Sequence, residues 1–352
     1  MKRIVLPALI LAAACSDALE QTSSAGQLIG VVNASDRTLS VISATDFSVR
    51  TRSWQIGSAT PRTIDGHGPF FVVPLGSGNA VGVSSFYMCP PNASSLCVVP
   101  DYTLPLAPGS GATGVAIQDD SIAWIANPNL NTVTRLNYLS GDTTSVAVGA
   151  TPQAVAIVGT RVFVVNSNLV GATPAGPSWL TSFDCCGVRT TDSIPLTGVN
   201  ARFATVGDDS MLYVVASGHV GGADGKLSIV DPVTQSESAV LNGLGELPSA
   251  AAFHPAGARL LIASTTEGIL EVNTSIRTIT RGPQADTPGF KPEGDGVSGL
   301  AIDLRGRVYA VAPGTCAANG VVHVLSAPPD YDEVHTVTVG VCPTTAAVAA
   351  TP

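Results

Sequence analysis

The amino-acid sequence predicts an all-β fold built as a closed ring of seven four-stranded units, and three observations carry that prediction. Gly (36) and Pro (25) are spread along the 352 residues, which suits many short strands joined by tight turns rather than long helices. An apolar, β-rich run recurs seven times, ending at Asn33, Pro74, Asn127, Asn166, Ala216, Ser264 and Ala312, at intervals of 39 to 53 residues. A second pattern precedes six of these runs and then returns, with no run after it, near the C-terminal end.

One unit is best read around Pro152. Pro152-Gln153-Ala154-Val155-Ala156-Ile157 and Arg161-Val162-Phe163-Val164-Val165-Asn166 flank a Gly-containing turn, which is a hairpin signature. Upstream, Ile122 to Asn127, Asn131 to Asn137 and Thr143 to Gly149 supply the rest of a four-strand meander, with strands A to D. The A pattern recurs as Pro61-Arg62-Thr63, Ala112-Thr113-Gly114, Ala201-Arg202-Phe203, Pro248-Ser249-Ala250 and Val297-Ser298-Gly299. Nothing suitable precedes Leu28, whereas Pro343 to Val348 fits the pattern with no B strand to follow. A β-propeller closed by its C-terminal strand joining the N-terminal blade has this property, and closure removes open sheet edges. Two β-sandwiches would predict neither a constant unit nor an orphan half-repeat at each end.

Val162-Phe163-Val164-Val165-Asn166, Asn131-Thr132-Val133 and Gly149-Ala150-Thr151-Pro152 resemble the repeats of the YVTN family of β-propeller proteins. The resemblance runs from Leu28 onward and is strongest in units three and four. It implies the fold and leaves activity open, since propellers host many chemistries.

The first residues set the expected address. Met1-Lys2-Arg3 is basic, Ile4 to Ala14 is apolar and too short to span a bilayer, and Cys15 follows small residues. Leu11-Ala12-Ala13-Ala14-Cys15 resembles a bacterial lipobox, although Ala12 stands where Leu is usual. The expectation is a leader over 1–14, an acylated Cys15 with a polar tether over 15–27, and one propeller over 28–352. Acyl chains contribute about 0.8 kcal/mol per buried CH₂, so the protein would be held at the cell membrane or outer membrane, facing the periplasm or exterior.

Six cysteines remain in a chain addressed to an oxidising compartment, so disulfides are expected. Cys89 pairs with Cys97 across a short Pro-containing loop, and Cys316 with Cys342, which lie in neighbouring loops of one face. Cys185 and Cys186 are adjacent, and free thiols, a strained bond or a redox pair all remain open for them. A net charge of -9 with no basic cluster beyond the leader argues against nucleic acid as a partner. The protein is expected to be monomeric.

The D-to-A and B-to-C loops of a propeller gather on one face around the channel, and the start of each A strand points a residue into it. Aligning the units gives Arg62, Thr113, Gln153, Arg202, Ser249, Ser298 and Thr344. Two arginines in a polar ring suit a small carboxylate or phosphate ligand; the alternative is that they tie down loop carbonyls or a neighbouring carboxylate. No cofactor is expected, with Ca²⁺ at Asp286, Glu293 and Asp295 the one candidate. His219 and Asp224 share a Gly-rich loop on that face and form the one candidate dyad. The expected function is a non-enzymatic cell-envelope module that binds a small ligand or protein partner. The alternative is a lactonase-like hydrolase whose divalent cation would be held by Asn200, Glu246 or Asp295.

Overall fold

The computed structural model describes residues 26–53, 60–87, 97–187 and 191–350. The expected leader, Cys15, all but the end of the tether, and Cys89 of the Cys89–Cys97 pair lie outside the described residues.

The chain forms a seven-bladed β-propeller, with seven sheets of four antiparallel strands in a ring. Blade 4 shows the pattern: Pro152–Val158 is the inner strand A, followed outward by Arg161–Asn166, Pro177–Asp184 and Asp192–Val199. The seven B strands end at the seven residues where the apolar runs end. The A strands of blades 2 and 3 differ from expectation: they are the short Asp65–His67 and Val115–Ile117, beginning after Pro61-Arg62-Thr63 and Ala112-Thr113-Gly114. Pro61 has no N–H for a ladder, which suits a late start.

The B strands read as unbroken apolar runs because each is buried on both faces. In Ile122–Asn127, Ala123 and Ile125 pack toward blade 2, while Ile122, Trp124 and Ala126 pack toward blade 4. Among the described residues the buried apolar side chains form seven clusters, one in each gap between neighbouring blades. Trp124 fills the gap between blades 3 and 4. Its ring meets Phe183 edge-on at 5.3 Å, and its Nε1–H donates to Gln118 Oε1 at 2.8 Å.

Closure is made by Pro343–Ala350, which pairs antiparallel with Gln27–Asn33 from Gln27↔Ala350 to Asn33↔Pro343. Blade 1 therefore consists of one C-terminal and three N-terminal strands. Further bonds tie blade 7 to blade 1. Cys316 and Cys342 are at disulfide distance, with Cα atoms 4.3 Å apart. Asp36 Oδ2 accepts the Val341 N–H at 2.9 Å, and the Arg307 guanidinium donates to the Ala44 carbonyl while pairing with buried Asp303.

Three outcomes follow from this packing. Deleting residues 343–352 should abolish the cooperative thermal transition, because it leaves Gln27–Asn33 as an uncovered inner edge. Trp124→Ala should cost about 3–5 kcal/mol in denaturant melts. Replacing both Cys316 and Cys342 by Ser should lower stability by about 3.5 kcal/mol, the loop-entropy value for a bond of sequence separation 26.

Candidate functional site

The seven inner strands converge on a central channel and are crowded by their own number. Small residues permit the approach: a Cβ on Gly114 would stand 2.4 Å from the Gln153 carbonyl oxygen, and one on Gly299 2.5 Å from the Thr345 Cα. Around the upper rim, hydroxyls stitch blade to blade. Thr63 donates to the Thr113 carbonyl, Thr113 to that of Pro152 (3.4 Å), and Ser167 to that of Ala201. Ser217 donates to Pro248 (2.8 Å), Ser249 to Ser298 (2.8 Å) and Ser298 to Pro343 (3.0 Å). The remaining junction, blade 1 to blade 2, carries a backbone bond from Ala350 N–H to the Gly68 carbonyl at 2.9 Å.

All seven ring positions expected from the sequence, Arg62, Thr113, Gln153, Arg202, Ser249, Ser298 and Thr344, line one cavity of about 280 Å³ at the channel mouth. Four owe their placement to β-bulges. The pairing of strand A with strand B skips a residue at Gln153, Arg202 and Thr344, and two residues including Ser249. An extra residue in one strand of a pair is left out of the ladder and its side chain is re-aimed, here toward the axis.

Two arginines dominate the mouth. Arg202 Nε donates to Asn200 Oδ1 at 2.8 Å, and buried Asn200 is itself anchored by donating Nδ2–H to the Gly218 carbonyl at 3.1 Å. Burial within the channel, and then the like charge of Arg62, hold the Arg202 pKa below its ordinary value. Among the described residues no carboxylate pairs with either side chain, and the Arg62 guanidinium makes no hydrogen bond. Of the two sequence alternatives for the arginines, Arg202 does hold a loop amide, while a carboxylate partner is present for neither.

Below the mouth, Thr63, Gln153, Arg202 and Phe203 also line a second cavity of about 280 Å³, walled by Ala154, Ala204, Ala251 and Ala347. Asp65 opens onto it. Desolvation pushes the Asp65 carboxyl pKa up, against the opposing pull of the Ile117 N–H at 2.7 Å and the Gly66 N–H at 2.9 Å. Phe203 and Asp65 escaped the sequence reading. Phe203 follows the bulged Arg202, and Asp65 is the one carboxylate among the seven inner strands as described.

The other candidates lie apart from the channel. His219 Nδ1 and Asp224 Oδ2 are 2.7 Å apart on an exposed loop, so the expected dyad does meet. Glu246 Oε1 accepts the Gly221 N–H at 3.1 Å beside it. Asp295 sits against His323, between blades 6 and 7. Asn200, Glu246 and Asp295, the candidate cation ligands of the hydrolase alternative, therefore do not converge on either channel cavity. Cys185 and Cys186 follow strand C of blade 4 with Cα atoms 3.8 Å apart, in a turn capped by Asp184 Oδ1.

No protein-family model and no curated protein sequence matches the chain. Solved structures do match in fold. Hydrazine synthase from Kuenenia stuttgartiensis is 13% identical over 81% of this chain and 88% of that one, with a TM-score of 0.63. A functionally unknown protein from Desulfotomaculum acetoxidans is 14% identical over 92% and 99%, with a TM-score of 0.63. Streptogramin B lyase is 12% identical over 82% and 95%, with a TM-score of 0.58. At these identities the likeness shows the propeller fold alone.

The raised pKa of Asp65 gives a signed pH dependence. Its folded value lies above the unfolded 3.8, so the stability it contributes is present below that value and is lost as pH rises through the folded pKa. The Tm of Asp65→Asn minus that of the natural protein should therefore increase from pH 3.5 to pH 8. A rise of about 2–4 °C would correspond to roughly 1 kcal/mol in a larger domain, and a difference that stayed flat with pH would refute the assignment.

Proposed function

We propose that this chain is a YVTN-type propeller of the cell envelope, anchored through an acylated Cys15, that binds a small anionic ligand bearing a carboxylate or phosphate at its channel mouth. The observation that carries the reading is the pair Arg62 and Arg202, two guanidiniums that repel each other in one cavity with no carboxylate between them. An anion would relieve that repulsion and accept planar, charge-assisted hydrogen bonds from both. Gln153 and the lone pairs of the ring hydroxyls would complete the polar wall. The protons of Thr113, Ser249 and Ser298 are committed to carbonyls of the next blade, which suits a rigid binding rim better than a nucleophile. The leader and lipobox support the envelope address.

A hydrolytic reading has one observation in its favour: the imidazole of His219 is oriented by Asp224 on the same face. Streptogramin B lyase, an enzyme by its name, has the same fold. Among the described residues the channel mouth supplies no carboxylate for the divalent cation that a lactonase-like mechanism requires, so binding is preferred.

Calorimetric titration with phosphate, succinate and citrate tests the proposal, with chloride as the ionic-strength control. Arg62→Gln and Arg202→Gln should each weaken binding about 10-fold or more, the usual worth of a hydrogen bond to a charged group. Thr113→Val should leave it within a few-fold. Affinity unchanged from the natural protein in both arginine variants, or lactone turnover lost in His219→Ala, would sink the binding reading.

A further inference from the structure

Blades 6 and 7 are separated by the longest D-to-A connection, Gly282 to Gly296, and that segment is fixed in place. Phe290 exchanges backbone hydrogen bonds with Ile269 of blade 6 at 2.9 and 2.7 Å, and its ring stacks on buried Tyr331 at 4.9 Å. The Val297 N–H donates to the Ser264 carbonyl at 3.0 Å. Held at both ends, the segment carries Glu293 and Asp295 toward strand C of blade 7, Asn319–Leu325.

His323 lies in that strand and is fully buried. Its Nδ1 is 3.2 Å from Glu333 Oε2, on the neighbouring strand Glu333–Val341, and its Nε2 is 3.3 Å from Asp295 Oδ2. One potential ligand atom from each of Glu293, His323 and Glu333 lies within 4.8 Å of the other two. A tetrahedral site with bonds of about 2.0–2.1 Å has ligand–ligand edges of about 3.3 Å, close to the observed imidazole–carboxylate separation. Asp286, expected alongside Glu293, is not part of this group, and His323 and Glu333 take its place.

Charge points the same way. Three carboxylates surround a single imidazole, and among the described residues no Lys or Arg pairs with Glu293, Asp295 or Glu333. The contrast is Glu271 of blade 6, buried and held by Arg259 at 3.0 Å and Arg281 at 3.5 Å. The protein neutralises one buried carboxylate with its own cations and leaves the His323 group in deficit.

We propose that Glu293, His323 and Glu333 bind one divalent transition-metal ion of the Zn²⁺ type, with Nδ1 and two carboxylate oxygens as ligands and water completing the shell. Asp295 is the positioning residue: it accepts the Nε2–H, which fixes the tautomer that leaves Nδ1 free for the metal and makes the ligand more basic. The ion would fasten the 282–296 connection to blade 7. This site is separate from the channel mouth and stands whether or not that mouth binds anions.

Zinc titration of the whole chain tests the inference, followed by calorimetry and by thermal melting. The background is Cys185→Ser with Cys186→Ser, because Asp184, Cys185 and Cys186 form a second potential ligand group. The expected result is one equivalent of Zn²⁺ bound with a Kd of about 10 µM or tighter, and a Tm higher with zinc than with chelator. Glu293→Gln and Glu333→Gln change exposed residues, so both should keep the chelated Tm; each should weaken zinc binding at least 10-fold. Asp295→Asn should weaken it about 10–100-fold, as outer-shell partners do. No zinc bound at that concentration, or binding unchanged in Glu293→Gln and Glu333→Gln, would overturn the proposal and leave the carboxylates as hydrogen-bond partners of the imidazole alone.

Discussion

The antiparallel pairing of Gln27–Asn33 with Pro343–Ala350 is the constraint on which the rest of the molecule depends. A seven-unit array left open would present an unpaired inner edge and an unburied blade face at each end. Closure buries both, and it is reinforced from the two faces of the ring: Cys316, Cys342 and Asp36 act on the channel-mouth side, and Arg307 with Asp303 acts on the other. Only in a closed ring are the seven strand-A starts equivalent, so the existence of a shared cavity is itself a product of that pairing.

The channel turns this geometry into a graded environment. The inner strands can crowd the axis because they are rich in Gly and Ala, and the bulges at Gln153, Arg202, Ser249 and Thr344 send side chains inward at one level. Hydroxyl-to-carbonyl bonds repeat at six of the seven blade junctions on this side, so the rim is set by covalent spacing and hydrogen-bond length rather than by mobile loops. Above lies a cationic, polar mouth, and below it a narrower stretch walled by alanines with the carboxyl of Asp65 on its side.

What could be read from the sequence followed what repeats. The B strands were legible because burial on both faces makes them uninterrupted apolar runs, as in Ile122–Asn127, and the ring positions were legible because they sit at a fixed offset from those runs. The orphan Pro343 segment disclosed closure, and the placement of Cys316 and Cys342 in neighbouring loops followed from it. Features peculiar to one blade were not legible. His323, Glu333 and Glu293 come from two strands and a connection, and their encounter depends on how Phe290 docks against Ile269, which no spacing rule records. The sequence contains no clustered His and Cys and so gave no pointer to this group, in which the fold brings one imidazole together with carboxylates from distant segments. Asp65 was overlooked because its neighbours are defined by the ring rather than by the local chain.

The order in which the ring is completed has a bearing on biogenesis. Gln27–Asn33 leaves the ribosome long before its inner partner Pro343–Ala350, so the first blade remains a three-stranded sheet until that partner emerges. Such a sheet is a template for any other extended chain within reach. A cell making this protein must either shield that early strand until Pro343–Ala350 has emerged or delay folding until both segments are present.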